Sequence, residues 1–496
     1  MTHQQPMPAP DPADRWGGYQ SPLAGRYASG AMRAIWSPRR KFEMWRSVWV
    51  ALARAQSKLG MGVTPEQVRE LESRRRLNDD DFRRAAEHEK RLKHDVMAHV
   101  HAFGEAAPGA AGVIHLGMTS QDVVCNADGL ILKEALGLIV LRTARVIDAL
   151  GSFAERWKAT PALGFTHYQP AQPTTVGRRA AQWGYDLSIV LDRLESDLAG
   201  WRLRGLKGAT GTQASFLALL DGDEAKVGRL EDAFLEELVG RGSSAPTHLL
   251  TGQTYPRVDD ALVLSDLGAL ASVMHKMCND IRLLSNRKEL DEPFGDEQIG
   301  SSAMPYKRNP MRCERVTGLC RFVMSMPQNG LDTAATQWLE RTLDDSSNRR
   351  LVLPESFLAL DGALDTLHSV AAGLVVHEAT VRKNLMDELP FMASENLMMA
   401  AVKLGGDRQA VHEAIRRHAQ EAGQRVKDMG LANDLIERLR GEPLLKGVDV
   451  AGVLSPEAYV GLSVRQVERF VRETVEPIRR RHGAAMTALP SSEPSV

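Results

Sequence analysis

The sequence predicts an all-α protein whose centre is a bundle of unusually long helices, and two observations carry this prediction. Apolar residues recur at helical spacings of three, four and seven through long stretches, at residues 119–159, 175–205, 260–289, 310–326 and 345–376. Alternating apolar and polar residues bounded by Asn-Gly or Asp-Gly turns, the signal of strand pairs, are nearly absent. The longest stretch contains no proline and would form a helix about 55 Å long.

Start and stop signals place the helices in chain order. An amphipathic run that begins near residue 42 ends at Gly60, which favours a helix stop there. Thr64 is followed by Pro65 and Gln67, and a capping hydroxyl, a proline at the first helical position and a reciprocal Gln are typical of a helix start. Thr119 opens the sequence Thr-Ser-Gln-Asp, a further start signal, so the longest helix is predicted to begin at this point.

Three domains are expected, because shorter helices with frequent Gly and Pro flank the long ones on both sides. We place an N-terminal helical domain at residues 1–118, the long-helix bundle at 119–376 and a C-terminal helical domain with a disordered tail at 377–496. Apolar stripes about 50 Å long cannot be covered by one chain. The bundle is therefore expected to self-associate as a dimer or a tetramer.

The composition excludes several classes of function. Lys and Arg number 62 against 63 Asp and Glu, so the net charge of -1 supplies no field for a nucleic acid or an anionic membrane. The four cysteines form no CxxC pair, which favours a reduced protein without structural zinc. With no secretory signal pattern and no apolar run of about 18 residues, the chain is predicted to be cytoplasmic.

Five polar segments combine hydroxyls, imidazoles and cations where a plain connector needs only Gly, Pro and Asn. They lie at residues 93–101, 115–120, 164–173, 300–310 and 340–350. A metal site in the first segment is disfavoured, because His94 and His101 share a helix face but stand about 10 Å apart along its axis. One zinc ion cannot bridge that distance, and the HExxH pattern is absent, so no metal is predicted.

Two of these segments contain candidate acid and base groups. His167 lies in a predicted loop before a Gln-Pro pair, and an imidazole is the natural proton donor to a leaving nitrogen at neutral pH, although a lone loop histidine is more often bonded to backbone. The stretch GSSAMPYKRNP, residues 300–310, matches neither the Walker pattern nor GxSxG, and its composition is that of a mobile cationic loop. Asn309 is expected to cap the helix that Pro310 begins.

The stretch GSSAMPYKRNP resembles the signature GSSxMPxKxNP of the fumarase and aspartase superfamily of lyases. Further segments, in the family's order along nearly the whole chain, are similar to the longer form of the adenylosuccinate lyase family: SPLAGRYASG, RLKHDVMAHVH, IHLGMTS, LGFTHYQPAQPTTVG, TGQTY and ERTLDDSSNRR. The resemblance implies an all-α, three-domain homotetramer, without cofactor or metal, whose active sites draw on three subunits. It also implies elimination of fumarate from adenylosuccinate, leaving AMP, and from succinyl-carboxamide imidazole ribotide in purine biosynthesis.

The resemblance implies roles for individual residues as well. Ser301, the first serine of the loop, is the general base and His167 the general acid, while Lys307 and Asn309 hold the carboxylate on which charge accumulates. His94 contacts the phosphate or orients the acid. The remaining contacts implied are Lys93 and Asp95 beside His94; Arg26, Tyr27, Arg341, Ser346 and Arg350 at the phosphate and ribose; Thr119 and Ser120 at the fumarate carboxylate; and Gln253 and Arg315 elsewhere on the substrate.

Two alternatives remain open from the sequence. Argininosuccinate lyase would keep the signature loop but needs no phosphate site, so Arg341 and Arg350 favour a phosphorylated substrate. An inactive structural relative such as a lens crystallin would have lost catalytic residues, whereas the three catalytic candidates persist here. Departures from the family pattern, at Tyr306 and at residues 121–128, concern fine specificity. How Ser301 loses its proton does not follow from the sequence.

Overall fold

The computed structural model describes residues 17–240, 246–295, 297–450 and 452–490, and helices make up most of them. The N-terminal helices are α1 (Gly30–Ile35), α2 (Pro38–Lys58), α3 (Pro65–Ser73), α4 (Asp79–Leu92) and α5 (Asp95–Ala106). The central helices are α6 (Ser120–Arg156), α7 (Val176–Ala199), α8 (Ala214–Leu219), α9 (Glu224–Val239), α10 (Val258–Asn286), α11 (Met311–Met324), α12 (Pro327–Ala335) and α13 (Asp344–Gly373). The C-terminal helices are α14 (Glu378–Met392), α15 (Ser394–Lys403), α16 (Arg408–Met429), α17 (Leu435–Arg440), α18 (Ser463–Phe470) and α19 (Glu476–Ala488).

Short strands and tight turns connect these helices. The strand β1 (Pro161–Thr166) pairs antiparallel with β2 (Gln169–Thr175), and β3 (Leu290–Asp291) pairs antiparallel with β4 (Val375–Val376). π-Helical turns occur at Leu23–Tyr27 and Val471–Val475, and 3-10 turns at Pro108–Val113, Pro443–Leu445, Gly452–Leu454 and Pro456–Tyr459. The all-α prediction is confirmed, since the strands that the structure describes are confined to these two small pairs.

Three of the start and stop signals found in the sequence, at Gly60, Thr64 and Thr119, are confirmed. Thr64 and Gln67 form the reciprocal capping box of α3, with backbone-to-side-chain hydrogen bonds of 3.2 and 3.0 Å. Gly60 has a φ of +68° just after α2, a conformation that glycine adopts without strain. The Thr119 N–H donates to Asp122 Oδ2 at 2.8 Å, and α6 then continues for 37 residues. Local capping chemistry therefore sets where these helices begin and end.

The long helices pack side by side around one large hydrophobic core. In this core α6 packs against α7 and α13, while α10 packs against α11 and α12. The C-terminal helices return to the bundle, where Gly151 on α6 faces Val475 and Gly184 on α7 faces Phe470 at distances that leave no room for a Cβ atom. Small residues at these two positions thus allow the chain end to dock on the bundle.

A second, smaller hydrophobic cluster lies apart from this core. It is formed by buried residues between Leu397 and Val450, on α15 to α17 and the turns that follow. The cluster falls within the C-terminal domain predicted at residues 377–496, and we keep the three-domain division as a proposal. The predicted disorder of the first fifteen residues lies outside the described residues, as does that of the last six. The tail was predicted to begin at Thr487, which is wrong for Thr487 and Ala488, since both belong to α19.

One described helix, α10, is long and apolar enough to cross a membrane by length and composition alone. Of its most apolar window, 61% is buried inside the protein. Its buried residues include Leu267, Met274 and Ile281, which belong to the main hydrophobic core. Burial on this scale is what a core helix of the bundle requires.

Two local predictions differ from the structure. The strands β1 and β2 form a hairpin that the sequence did not indicate, because its turn residues, His167 and Tyr168, replace the usual Asn-Gly pair and still adopt φ of +53° and +57°. Asn309 does not cap α11: its side chain donates instead to the Gly300 carbonyl at 2.7 Å, and the helix begins at Met311, after Pro310.

Candidate active site

A cavity of about 1180 Å³ opens where the N-terminal ends of α2, α5, α6 and α13 come together. More than half of the site residues predicted from the sequence line it: Lys93, His94, Asp95, Thr119, Ser120, Gln253, Arg341, Ser346 and Arg350. Helix N-termini carry unpaired N–H groups and a partial positive charge, and they favour anionic ligands. The arginines of α13 add full positive charges, so the cavity suits a ligand with several negative groups.

His94 joins two of these helix ends. Its Nδ1 accepts a hydrogen bond from the Met97 N–H at 3.4 Å and thereby caps α5. Because Nδ1 is an acceptor, the proton of the neutral ring lies on Nε2, which stands 3.4 Å from Ser120 Oγ. Asp95, the next residue, accepts a hydrogen bond from Arg350 Nη2 at 2.9 Å. The imidazole is therefore oriented by the backbone of α5 on one side and faces α6 on the other.

A buried network fixes the start of α13 below the cavity. Arg349 donates to Asp260 at 2.7 Å, to Asp128 at 3.1 Å and to the Tyr255 hydroxyl at 2.5 Å. Burial raises the pKa of Tyr255 well above its usual value, so this hydroxyl stays protonated and donates to Asp260. A fully paired network of this kind holds its members in one arrangement. The sequence analysis did not single out Arg349, although it lies in the same arginine-rich segment as Arg350.

Arg341 is held at the edge of the same network. Its guanidinium lies 3.3 Å from Asp345, which also accepts from Arg257 Nε at 2.8 Å. Burial lowers the pKa of Arg341 from its usual value, although Asp345 opposes this shift, and the group remains a cation at neutral pH. Arg341 is thus positioned to present its remaining N–H groups to a ligand in the cavity.

Thr119 and Ser120 are positioned by a second buried group, Asp122, whose contacts beyond the helix start no sequence pattern indicates. Asp122 is fully buried and accepts hydrogen bonds from the Thr119, Lys207 and Gly208 N–H groups at 2.8, 2.9 and 3.1 Å. It also pairs with the buried guanidinium of Arg204. The first turn of α6 is therefore tied to the segment 204–208, which no periodicity in the sequence relates to it.

Three other predicted residues form a separate cluster halfway along α13. The Arg315 guanidinium lies 6.0 Å from the centroid of the Tyr27 ring, and burial, followed by the charge of Arg26, lowers the pKa of Arg315. The Tyr27 carbonyl packs directly against Gly362. Arg350 and Gly362 are about 18 Å apart along the helix axis, so this cluster does not line the cavity of its own chain.

The signature loop forms a third group of predicted residues. Ser301 Oγ accepts hydrogen bonds from the Met304 N–H at 3.2 Å and the Ala303 N–H at 3.4 Å. Gly300 has no room for a Cβ atom because the Lys307 carbonyl lies against it. Asn309 also contacts Gly300, since its side chain donates to the Gly300 carbonyl. The Lys307 side chain is exposed. The two ends of the loop therefore contact each other, and the Ser301 hydroxyl faces the backbone N–H groups of Ala303 and Met304.

His167 stands alone at the tip of the hairpin. Its side chain is exposed, and the hairpin is anchored through Phe165, whose ring lies 4.8 Å from the Arg287 guanidinium at the end of α10. The hairpin follows the C-terminal end of α6, whereas Ser120 lies at the N-terminal end, and 37 helical residues separate them by about 55 Å. One chain therefore does not bring His167 to its own cavity.

In the described part of the chain, no group of three or more His, Cys, Asp or Glu side chains is arranged to hold a metal ion. The four cysteines are buried and free.

Comparisons of sequence agree with the motifs. Residues 26–325 match the sequence family described as Lyase, and residues 390–470 match the family described as Adenylosuccinate lyase C-terminus. The adenylosuccinate lyase of Saccharomyces cerevisiae is 46% identical over 92% of this chain and 95% of its own length. The adenylosuccinate lyase of Schizosaccharomyces pombe is 45% identical over 93% of this chain and 95% of its own length.

Solved structures give the same fold. The 3-carboxy-cis,cis-muconate lactonizing enzyme of Pseudomonas putida superimposes with a TM-score of 0.78 at 25% identity, over 92% of this chain and 99% of that one. A fumarate lyase of Mesorhizobium sp. BNC1 has a TM-score of 0.76 at 24% identity, over 90% of this chain and 98% of that one. Since near-full-length relatives exceed 40% identity and both family matches fall on the expected segments, the chain belongs to the adenylosuccinate lyase family.

Proposed function

We propose that this chain cleaves adenylosuccinate to fumarate and AMP, and cleaves succinyl-carboxamide imidazole ribotide in the same way, as a cytoplasmic homotetramer. The observation that carries the proposal is the cavity itself, where Arg341 and Arg350 lie beside the hydroxyls of Thr119 and Ser120. Arginine at a helix N-terminus suits a phosphate, and hydroxyls at the start of another helix suit a carboxylate. The names of the near-full-length relatives support the same substrate.

The reaction is a β-elimination with two proton transfers. A base removes a proton from the carbon beside one carboxylate of the succinyl group, and charge builds on that carboxylate. The electron pair then forms the carbon-carbon double bond of fumarate as the carbon-nitrogen bond breaks. An acid supplies a proton to the leaving nitrogen, which completes AMP. The site must therefore provide a base, an acid and cations for the carboxylate.

Ser301 is the proposed base, and the structure supports a means of activating it. Hydrogen bonds to the charged form of a group favour that form. The Ala303 and Met304 N–H groups both point at Ser301 Oγ, and they would stabilise the alkoxide left when the hydroxyl loses its proton. These two backbone donors support the proposal that the loop itself stabilises the charged form of Ser301.

His167, Lys307 and Asn309 complete the proposed chemistry. His167 is carried on a hairpin whose left-handed turn leaves the imidazole exposed at its tip, where it can reach a neighbouring chain. The Lys307 side chain is exposed, while the Lys307 carbonyl and the Asn309 side chain both contact Gly300. In these positions the imidazole can protonate the leaving nitrogen, while the ammonium and the amide hold the substrate carboxylate.

Shared active sites follow from the distances within one chain. The cavity, the Arg315 cluster and the hairpin are separated by about 18 Å along α13 and about 55 Å along α6. All of them carry residues implied for one substrate, so a complete site requires segments from several copies. Exposed apolar side chains on the bundle, including Ile189, Leu262 and Leu351, supply surface for such an assembly.

Turnover of adenylosuccinate tests the function directly. The purified chain is mixed with adenylosuccinate and, separately, with argininosuccinate, and the loss of substrate absorbance or the release of fumarate is followed. We expect turnover of adenylosuccinate alone. Turnover of argininosuccinate without turnover of adenylosuccinate would contradict the proposal, as would the absence of both activities in a folded tetramer.

A further inference from the structure

Lys41, in the first turn of α2, is a cavity residue to which none of the sequence motifs drew attention. Its side chain lines the same cavity as His94, Arg341 and Arg350. The ammonium Nζ lies 5.1 Å from the centroid of the Trp45 ring and 5.3 Å from that of the adjacent Phe42 ring. The aromatic rings cover one side of the ammonium, and its other side faces the cavity.

The arginines that line this cavity, two in the first turns of α13 and Arg341 just before it, are all neutralised by acids of the same chain. Arg341 pairs with Asp345, Arg349 pairs with Asp260 and Asp128, and Arg350 pairs with Asp95. These ion pairs fix the guanidinium groups in place. They also engage two of the carboxylates that line the cavity, those of Asp95 and Asp128.

Lys41 differs from these arginines, because no carboxylate lies within ion-pair distance of its ammonium in the part of the chain that the structure describes. Asp128, Asp95 and Glu89 act on it only from farther away, and Arg350 repels it. Burial, the largest effect, lowers the pKa of Lys41 from its usual value. An ammonium that has lost water without gaining a counter-charge is stabilised by an anion that enters the cavity.

The position of Lys41 indicates which anion this is. Lys41 and Arg350 both line this cavity, and the charge of Arg350 acts on the Lys41 ammonium. Two neighbouring cations suit a phosphate, which carries close to two negative charges and has three oxygens to accept hydrogen bonds. The carboxylate contacts, by contrast, lie at Thr119 and Ser120 on the first turn of α6.

We propose that Lys41 binds the phosphate group of the nucleotide together with Arg350, as a further substrate-binding residue of this site. The inference rests on the proposed function, since it takes the ligand to be a nucleotide monophosphate. It assigns to Lys41 a role in affinity for the substrate and for AMP, with no part in proton transfer.

The test compares Lys41→Met and Lys41→Arg with the wild type and with Lys58→Met. Lys58 lies on the same helix, but its ammonium pairs with Glu236 and Glu237 outside the cavity. For Lys41→Met we expect the KM for adenylosuccinate to rise about tenfold or more, with kcat changed by less than about threefold. Inhibition by AMP should weaken to the same extent, and inhibition by fumarate should not change. Lys41→Arg, which keeps the charge, should restore most of the affinity, and Lys58→Met should match the wild type.

Three results would overturn the inference: an unchanged KM in Lys41→Met, an equal rise in Lys58→Met, or weaker inhibition by fumarate with AMP unaffected. Protection of lysines in the wild type gives a second measurement that does not depend on any variant folding. AMP should protect Lys41, and not Lys58, from acetylation by acetic anhydride as read by mass spectrometry, and the absence of protection would contradict the inference. Wild-type turnover in the same assay tests the proposed function separately, since AMP binding at Lys41 can be measured whether or not the substrate is cleaved.

Discussion

Ser301 and Ser302 are adjacent hydroxyls, but their surroundings differ. Ser301 Oγ accepts two backbone hydrogen bonds within the loop, and Ser302 is exposed and has no such bond in the described structure. Ser301→Ala removes the proposed base, so kcat should fall by about 100-fold or more. Ser302→Ala should change kcat by less than about threefold. Steady-state kinetics with adenylosuccinate and thermal melting check both, and the melting temperatures should stay close to that of the wild type.

A loss of activity in Ser302→Ala and not in Ser301→Ala would contradict the assignment of Ser301 as the base. If Ser302→Ala loses activity while Ser301→Ala retains it, the base is the second serine of the loop, and the backbone donors at Ala303 and Met304 have another purpose. Equal losses with a lowered melting temperature would instead mean that both substitutions distort the loop.

Asp197 on α7 has a carboxyl group that makes stability depend on pH. Burial, together with the neighbouring carboxyl of Asp266 on α10, raises the pKa of Asp197 to about 6. Between an unfolded value of about 3.9 and this folded value, the folded chain holds a proton that the unfolded chain has lost. Stability from this group is therefore present at low pH and is lost as the pH rises through the window.

Asp197→Asn removes the free-energy cost of ionising this carboxyl group in the folded chain. The variant should melt at a higher temperature than the wild type above about pH 7 and should show no such gain near pH 4. Asp192→Asn, an exposed substitution on the same helix, is the control and should change the melting temperature little at either pH. A gain that is equal at both pH values would mean that the carboxyl of Asp197 is not the cause.

Motifs identify residues that touch substrate better than residues that hold others in place. Nine predicted contacts line one cavity, among them His94 and Arg350, because the signature segments carry them directly. Arg204, Lys41 and the contacts that Asp122 makes beyond its own helix escaped notice for a physical reason. Each acts through a partner or a cavity that only the tertiary fold assembles, and neither periodicity nor local spacing records such a pairing.

Whole helices and strands, like single residues, were predictable only where their signals are local in the sequence. The long helices were predictable because their apolar periodicity and capping residues are local, as in α6. The hairpin of β1 and β2 was not, since two prolines in β2 and an unusual His-Tyr turn hide the strand signal. The start of α11 was misassigned by one residue because its cap comes from a distant carboxylate, Glu292, and not from Asn309.

Glu292 therefore ties the segment that precedes the signature loop to the helix that follows it. It directly follows β3, is 4% exposed, and accepts the Arg312 and Cys313 N–H groups, both at 2.9 Å. These N–H groups belong to the first turn of α11, which has no other side-chain cap. Burial raises the pKa of Glu292, and the two backbone bonds oppose this shift. The helix after the loop is thus held in place, while residues 302–308 of the loop are exposed.

Glu292→Gln should release this base, because one carboxylate oxygen is replaced by an NH2 group that faces a backbone donor. We expect kcat to fall about tenfold or more and trypsin to cleave faster after Lys307 and Arg308 in the native protein. Glu289→Gln is the matched control, since Glu289 is equally buried but binds Arg287 and Asn384, outside the loop. Its melting temperature should fall as well, with little change in kcat or in loop cleavage. Parallel losses in both variants would contradict a specific role for Glu292 in holding the loop.

At the scale of the whole molecule, the length of α6 separates groups that the chemistry needs in one place. His94 faces Ser120 at the start of this helix, and His167 follows its end, about 55 Å away. No bending of a single chain can close that distance while the helix stays intact. On the proposed function, the site takes its imidazoles from different copies, so two chains that are each defective should repair each other.

Mixing His94→Asn with His167→Asn tests this arrangement. Asn suits both positions structurally, because it caps helices well, as His94 does for α5, and tolerates the left-handed conformation of His167. Each variant alone should form an inactive assembly with a wild-type melting temperature. When the two are unfolded together and refolded, some sites receive an intact His94 segment from one chain and an intact hairpin from another, so part of the wild-type turnover should return. Each variant refolded by itself should stay inactive, and failure of the mixture to recover, although mass measurements find mixed assemblies, would mean that each site is built from one chain.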